Sequence, residues 1–251
     1  MSNPFDLTGR TAVVTGGGRG LGHGISTALL EAGADVVVLA RTEVPAELVA
    51  HAEDLGRSVH FYPVDLADGD AIAATAAQVL ADHRVDILVN NAGTQDRYPA
   101  VDFPLEAWDR VIDINLRSTF QLCQLFGRPM LERGEGKIVN FASLLSFQGG
   151  LTVPAYAASK GAVAQLTKAL CNEWSAKGVN VNAVAPGYMA TDMNTALLAD
   201  PVRLEQLSVR IPAGRWGNPE DIGNVVVFLA SPAAGYIHGQ VLAVDGGWLA
   251  R

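Results

Sequence analysis

Short valine-rich runs such as DVVVLA (residues 35–40) alternate along this chain with longer, alanine-rich segments of helical composition. A strand that is apolar on both sides needs cover on both sides, so this alternation restricts the chain to an α/β fold: a parallel sheet flanked by helices. Strands are expected at Thr11–Thr15, Asp35–Ala40, Ser58–Val64, Ile87–Asn90, Gly136–Ala142, Asn180–Ala185 and Gln240–Val244, with helices in the intervals. The 251 residues contain no internal repeat, low-complexity tract or Pro/Gly-rich linker, so one domain is expected.

Composition excludes several classes. A net charge of -8 argues against nonspecific binding to nucleic acid. No uninterrupted apolar stretch reaches membrane-spanning length, and MSNPFDLTGR lacks the basic-then-apolar pattern of a secretory leader, so no membrane partner and a cytoplasmic location are expected. Cys123 and Cys171 lie in helical-looking segments and read as reduced core or interface thiols. His23, His51, His60, His83 and His238 are scattered without zinc-site spacing, and no metal is expected.

The first strand runs straight into TGGGRGLGHG. Gly16, Gly20 and Gly22 stand where a turn into a helix lets bare backbone approach a pyrophosphate, with the helix N-terminus supplying positive potential. The second strand ends at Ala40 without a carboxylate and is followed by Arg41. An acid there binds the ribose 2′-OH of NAD, whereas an arginine accommodates a 2′-phosphate, so NADP is the preferred cofactor and NAD the alternative. Glu43 is the residue able to reverse that preference. Further along, Asp65 is placed to accept from an adenine amino group and Leu66 to cover the ring. Asn91, Ala92 and Gly93 leave room for the nicotinamide ribose, Pro186 and Gly187 force a sharp strand exit, and Thr191 is placed to reach the nicotinamide carboxamide.

Acid/base chemistry points to the segment 143–161. Tyr156 and Lys160 are four residues apart in a helical run, which sets a phenol beside an ammonium on one face. A neighbouring cation favours the phenolate and brings the group toward working range. Taken alone, the pair is also what a half-buried aromatic beside a solvated lysine looks like. Ser143 closes the apolar run KIVNFAS at the strand end that opens into the ligand crevice of such sheets. Asn115 interrupts an apolar helix face and must find buried partners, bending the helix or holding a water.

The glycine motif T-G-x-x-x-G-x-G, Asn90-Asn91-Ala92-Gly93, Asn115, Ser143, Tyr156/Lys160 and Pro186-Gly187 together resemble the short-chain dehydrogenase/reductase family in order and spacing along the whole chain. The resemblance implies a single NAD(P)-binding domain over residues 1–251, a Rossmann-type doubly wound parallel sheet of about seven strands, with a small substrate-binding lid near residues 188–215. It implies Tyr156 as general acid/base, Ser143 orienting the substrate oxygen, Lys160 on the nicotinamide ribose, and Asn115 positioning a water that links Lys160 to solvent. Gly16, Gly18, Arg19, Gly20, Leu21, Gly22, Arg41, Asp65, Leu66, Asn91, Ala92, Gly93, Pro186, Gly187, Met189 and Thr191 join Tyr156 and Lys160 as the implied cofactor site. A homotetramer is implied as well.

Within the family, LLSFQGG, VPAYAASK, NVNAVAPGYMAT, RIPAGRWG and VDGGWLAR are similar to dehydrogenases of 2-deoxy-D-gluconate and 2-keto-3-deoxygluconate, whereas ARTEVPAE and TQDRYPA depart from that group. This implies hydride transfer between NAD(P)(H) and a sugar acid, with a 3-oxoacyl carrier protein or general ketone reductase as the alternative. Arg97 is the expected carboxylate partner, because its planar fork pairs both oxygens, although it is equally suited to a surface pair with Asp96 or Asp102. Gln148 is expected to hydrogen-bond a substrate hydroxyl.

Overall fold

In the computed structural model, which describes residues 3–191 and 200–251, β1 (Thr11–Thr15), β2 (Asp35–Ala40), β3 (Val59–Pro63), β4 (Ile87–Asn90), β5 (Gly136–Phe141), β6 (Val179–Pro186) and β7 (Val241–Val244) form one sheet. The order is β3-β2-β1-β4-β5-β6-β7, every pair is parallel, and the chain reverses its direction of travel between β1 and β4. That reversal leaves a crevice at the C-terminal ends of the strands.

The helices are α1 (Gly20–Glu31), α2 (Ala46–Asp54), α3 (Gly69–Asp82), α4 (Leu105–Ile112), α5 (Ser118–Arg133), α6 (Pro154–Trp174), α7 (Pro201–Ser208) and α8 (Pro219–Ala230). Successive valines of one strand feed opposite cores, as the two-residue period of a strand requires. Val14, Val36 and Val38 pack with Ile25, Leu29 and Val226 beneath α1 and α8, while Val13, Val37 and Leu39 pack with Phe126, Met130 and Trp174 beneath α5 and α6. The chain is thus a single α/β domain. No helix among the described residues is long and apolar enough to cross a membrane.

Strand limits differ from expectation by a residue or two where side chains take the end amides. The Ser58 N–H and hydroxyl both donate to Asp35 Oδ1, at 2.8 and 2.9 Å, so the strand expected from Ser58 begins at Val59. The Gln240 N–H donates to Asn182 Oδ1 at 3.0 Å, and β7 begins one residue later. The helix that carries Tyr156 and Lys160 runs from Pro154 to Trp174 and gives way to a tight turn, Ser175–Lys177. Gly178 then takes φ 83, and a Cβ there would lie 1.9 Å from the Gly134 carbonyl oxygen. At the opening of α8, Pro219 occupies the first turn, and Asn218 and Asp221 cap each other reciprocally.

Candidate active site

The glycine loop between β1 and α1 is built from backbone. Gly16 adopts φ 66 and donates its N–H to the Leu39 carbonyl at 2.8 Å. A Cβ on Gly22 would lie 2.0 Å from the Gly16 carbonyl oxygen, so the first turn of α1 reaches this approach only with glycine. Arg19 precedes α1 with no side chain capping the helix, which leaves the first amides free for an anion. Gly18, Arg19, Gly20, His23 and Thr191 line a groove of about 380 Å³ there. Bare backbone and an uncapped helix start fit the pyrophosphate of a dinucleotide. Leu21 packs back against the core and Met189 is buried. The Asn91 amide donates to the Thr15 carbonyl at 3.0 Å, and the Ala92 N–H to the Thr15 hydroxyl at 2.9 Å, which fixes Asn91-Ala92-Gly93 beside the loop.

At the end of β2, Arg41 is exposed and has no hydrogen bond or ion pair among the described residues. Asp65, across the same strand ends, is exposed and accepts from the Ala67 N–H at 3.0 Å, while Leu66 is buried in the core. Gly187 passes close enough to Asp245 that a Cβ would meet its Cα at 2.6 Å, so glycine follows Pro186 for want of space.

Ser143, Tyr156 and Lys160 converge at the C-terminal edge of the sheet. Ser143 follows β5, accepts from the Leu145 N–H at 3.2 Å, and its own N–H donates to the Ser146 hydroxyl at 3.2 Å. Pro154 in the first turn of α6 sets the helix on course, and Tyr156 and Lys160 share its inner face. The Lys160 Nζ donates to the Phe141 carbonyl at 2.6 Å and lies 5.7 Å from the centre of the Tyr156 ring. The electrostatics differ from the expectation that the lysine draws the phenol down. Burial raises the Tyr156 pKa above its ordinary value, opposed by the hydrogen bond with Ser143, so the phenol rests protonated. Burial also lowers Lys160 to about 8, because the charged form loses its water.

Asn115 sits in one π-helical turn, Asp113–Arg117, between α4 and α5. Its Oδ1 accepts from the Thr94 N–H at 2.8 Å, and its Nδ2 donates to the Thr94 carbonyl at 2.9 Å and the Ser159 hydroxyl at 3.0 Å. The amide is therefore spent on locking the loop after β4 to α6, and any water held by Asn115 is held through its main chain. A Cβ on Gly93 would stand 3.3 Å from Asn115 Oδ1 and 3.6 Å from Lys160 Nζ, which shows how closely the three are packed.

Arg97 is exposed on this loop, and the Tyr98 N–H donates to the carbonyl of Thr152, whose φ of 62 is the one positive value outside glycine among the described residues. The surface pair envisaged for Arg97 does not form. Arg110 takes Asp96 with both carboxylate oxygens within 2.6 Å, and Arg97 has no partner among the described residues. Gln148 lies half-buried just beyond Ser143. Sequence reasoning missed the aromatic cluster of Tyr188, Trp216 and Trp248, in which Tyr188 meets Trp216 edge-on at a ring separation of 5.4 Å and Trp248 at a tilt at 4.7 Å. These residues are 60 positions apart along the chain at the extremes, and no local pattern links them.

The family model described as enoyl-(acyl carrier protein) reductase matches residues 16–249. The chain is 51% identical to 2-dehydro-3-deoxy-D-gluconate 5-dehydrogenase of Bacillus subtilis over 100% of this chain and 99% of that protein, and 45% identical to the Escherichia coli protein of the same name over 98% of each. It superimposes with a TM-score of 0.94 and 39% identity on a gluconate 5-dehydrogenase from Burkholderia cenocepacia in complex with NADP and tartrate, covering 99% of this chain and 98% of that one. The chain belongs to the short-chain dehydrogenase/reductase family. It is an oxidoreductase of that family.

Lys160 gives the site a stability signature. Its folded pKa of about 8 lies below the ordinary lysine value of 10.5, so the folded state binds fewer protons between those limits and stability rises with pH across that window. In Lys160→Met that contribution is absent. Thermal unfolding of the two proteins between pH 7 and pH 10.5 should therefore move in favour of the unmutated chain as pH rises, by at most about 1.4 kcal/mol per pH unit. A constant difference across this range excludes a depressed lysine.

Proposed function

We propose that this protein is an NADP-linked dehydrogenase of sugar acids, interconverting a secondary alcohol and a ketone on a substrate of the 2-keto-3-deoxygluconate or gluconate type. The observation that carries the reading is the Ser143, Tyr156 and Lys160 constellation at the crevice, together with an Arg97 on the loop after β4 that no carboxylate of the described residues satisfies. Full-length relatives at 45–51% identity that bear a sugar-acid dehydrogenase name support it over the 3-oxoacyl or general ketone alternative. Relatives crystallised with NADP support the cofactor, as does Arg41.

When bound, a nicotinamide dinucleotide supplies the hydride donor or acceptor. Gly16, Gly18, Arg19, Gly20, Leu21 and Gly22 would hold its pyrophosphate, Arg41 its 2′-phosphate, Asp65 and Leu66 its adenine end, and Asn91, Ala92, Gly93, Pro186, Gly187, Met189 and Thr191 its nicotinamide end. In the reductive direction Tyr156, resting protonated, gives its proton to the substrate carbonyl oxygen while Ser143 hydrogen-bonds the same oxygen. The Lys160 ammonium stabilises the phenolate that remains and holds ribose hydroxyls, and Asn115 keeps the loop after β4 fixed on α6. In the oxidative direction the same proton returns to Tyr156. Arg97 pairs the substrate carboxylate and Gln148 meets a substrate hydroxyl.

The reading includes a lid near residues 188–215, supported by α7 and by Arg210 over Trp248, with residues 192–199 outside the described part. It also includes a homotetramer, supported by exposed apolar groups in the loop before β7 and on that strand (Tyr236, Leu242) and on α4 and α5 (Leu105, Phe120). A cytoplasmic location accords with unpaired Cys123 and Cys171.

Following NADPH absorbance over a panel of sugar acids and neutral ketones tests the substrate class. Arg97→Ala should raise KM for the acids roughly tenfold or more and leave neutral ketones little changed, since a charge-assisted pair is lost only for the acids; equal effects on both, or turnover of uncharged ketones alone, sink the sugar-acid reading. Tyr156→Phe should lower kcat by about 10²–10⁴-fold with NADP affinity retained, because only the transferable proton is removed; near-normal kcat would remove Tyr156 from its role. Arg41→Ala should shrink the affinity advantage of NADP over NAD by about ten- to a hundredfold in a calorimetric titration, the range of a hydrogen bond to a charged group. Tighter NAD binding by the unmutated protein would refute the cofactor preference.

A further inference from the structure

The loop that follows Ser143 is tied to the last residues of the chain. Gln148 Oε1 accepts a hydrogen bond from the Trp248 indole N–H at 3.4 Å. Indole only donates, so the bond fixes the sense of the amide: oxygen toward Trp248, NH₂ turned away from it. Among the described residues that NH₂ has no partner. The Gln148 main chain is pinned as well, its N–H donating to the Leu144 carbonyl at 3.1 Å.

Trp248 is well placed to hold such an orientation. It is 3% exposed and packs with Leu144 and Ile211, which brings the C-terminal turn under the turn that begins at Ser143. Tyr188 lies against it at 4.7 Å, and the Arg210 guanidinium stacks over its ring at 4.0 Å. The turn carrying it is fixed in turn by Asp245, whose carboxylate accepts from the Gly247 and Leu249 N–H groups at 2.9 Å each.

We infer that Trp248 is a positioning residue for substrate recognition, holding Gln148 as a pure hydrogen-bond donor to an acceptor oxygen of the substrate. The inference rests on the sugar-acid reading, in which the substrate offers carboxylate, carbonyl and hydroxyl oxygens. An untethered glutamine presents its donor or its acceptor end with equal ease; one whose oxygen is already engaged discriminates against a substrate group that can only donate.

A double-mutant cycle of Trp248→Phe and Gln148→Ala, measured on the full chain at saturating NADP, tests this. Trp248→Phe should raise KM for the sugar acid about three- to tenfold, the effect of one neutral hydrogen bond, with kcat and NADP affinity unchanged. In the Gln148→Ala background the same change should have no further effect. Equal losses in both backgrounds mean that Trp248 acts through packing and overturn the proposal. Should Trp248→Phe fail to fold, Gln148→Glu decides: it keeps an acceptor for the indole but has no donor, so KM for the sugar acid must rise, and an unchanged KM overturns the proposal. If the unmutated enzyme turns over no sugar acid, the substrate reading falls by itself. The cycle is then run on the ketone it does reduce, where non-additivity upholds the positioning role and additivity refutes it.

Discussion

The 2.6 Å hydrogen bond from the Lys160 ammonium to the Phe141 carbonyl joins the catalytic helix to the end of β5, and the geometry of the site hangs on it. An ammonium with 4% of its residue surface exposed loses most of its hydration, and such a group is tolerated only with a strong acceptor in place. A second tie runs alongside it, from the Ser146 hydroxyl to the Lys160 carbonyl at 2.7 Å. Together they fix how α6 approaches the turn that begins at Ser143, and so how a phenol and a hydroxyl come to share one position in the crevice. The burial that makes Lys160 a reluctant cation also makes Tyr156 a reluctant anion, so near neutral pH the phenol keeps its proton beside an ammonium whose charge favours the phenolate once that proton is given up.

The parallel sheet supports this arrangement from the other side. Because β1 and β4 are neighbours, the loops after them meet, and Asn91 and Ala92 bond directly to Thr15. Asn115 then clasps Thr94 with two hydrogen bonds and reaches Ser159 on α6. The segment Asn91–Thr94 is thus tied by polar contacts at one end to the end of β1 and at the other, through Asn115, to the catalytic helix. A buried network of this kind is rigid when all its members are satisfied.

Much of this was legible in the sequence because it is local. Valine runs announce strands, four-residue spacing puts Tyr156 and Lys160 on one face, and glycines spaced through a strand-to-helix turn announce close backbone approach. What escaped is non-local. Strand ends shifted where Asp35 and Asn182 captured amides from neighbouring strands. Arg97 was left unpaired because Arg110, on a helix packed nearby, took Asp96. The rest states of Tyr156 and Lys160 depend on burial, which spacing does not report. The place of Trp248 against Gln148 joins positions 100 residues apart, and no motif carries that information.

The end of β2 is separated from β5 by both β1 and β4, and the exposed Arg41 sits at that distance from Ser143 and Tyr156. Whatever discriminates between cofactors there does so on a surface loop that shares no side-chain contact with the reacting groups. Such a layout separates two questions that a lineage must answer: which carbon is oxidised, and which cellular pool of reducing equivalents is drawn upon. A change at the rim of the sheet can rewire the second answer while the machinery for the first is inherited intact.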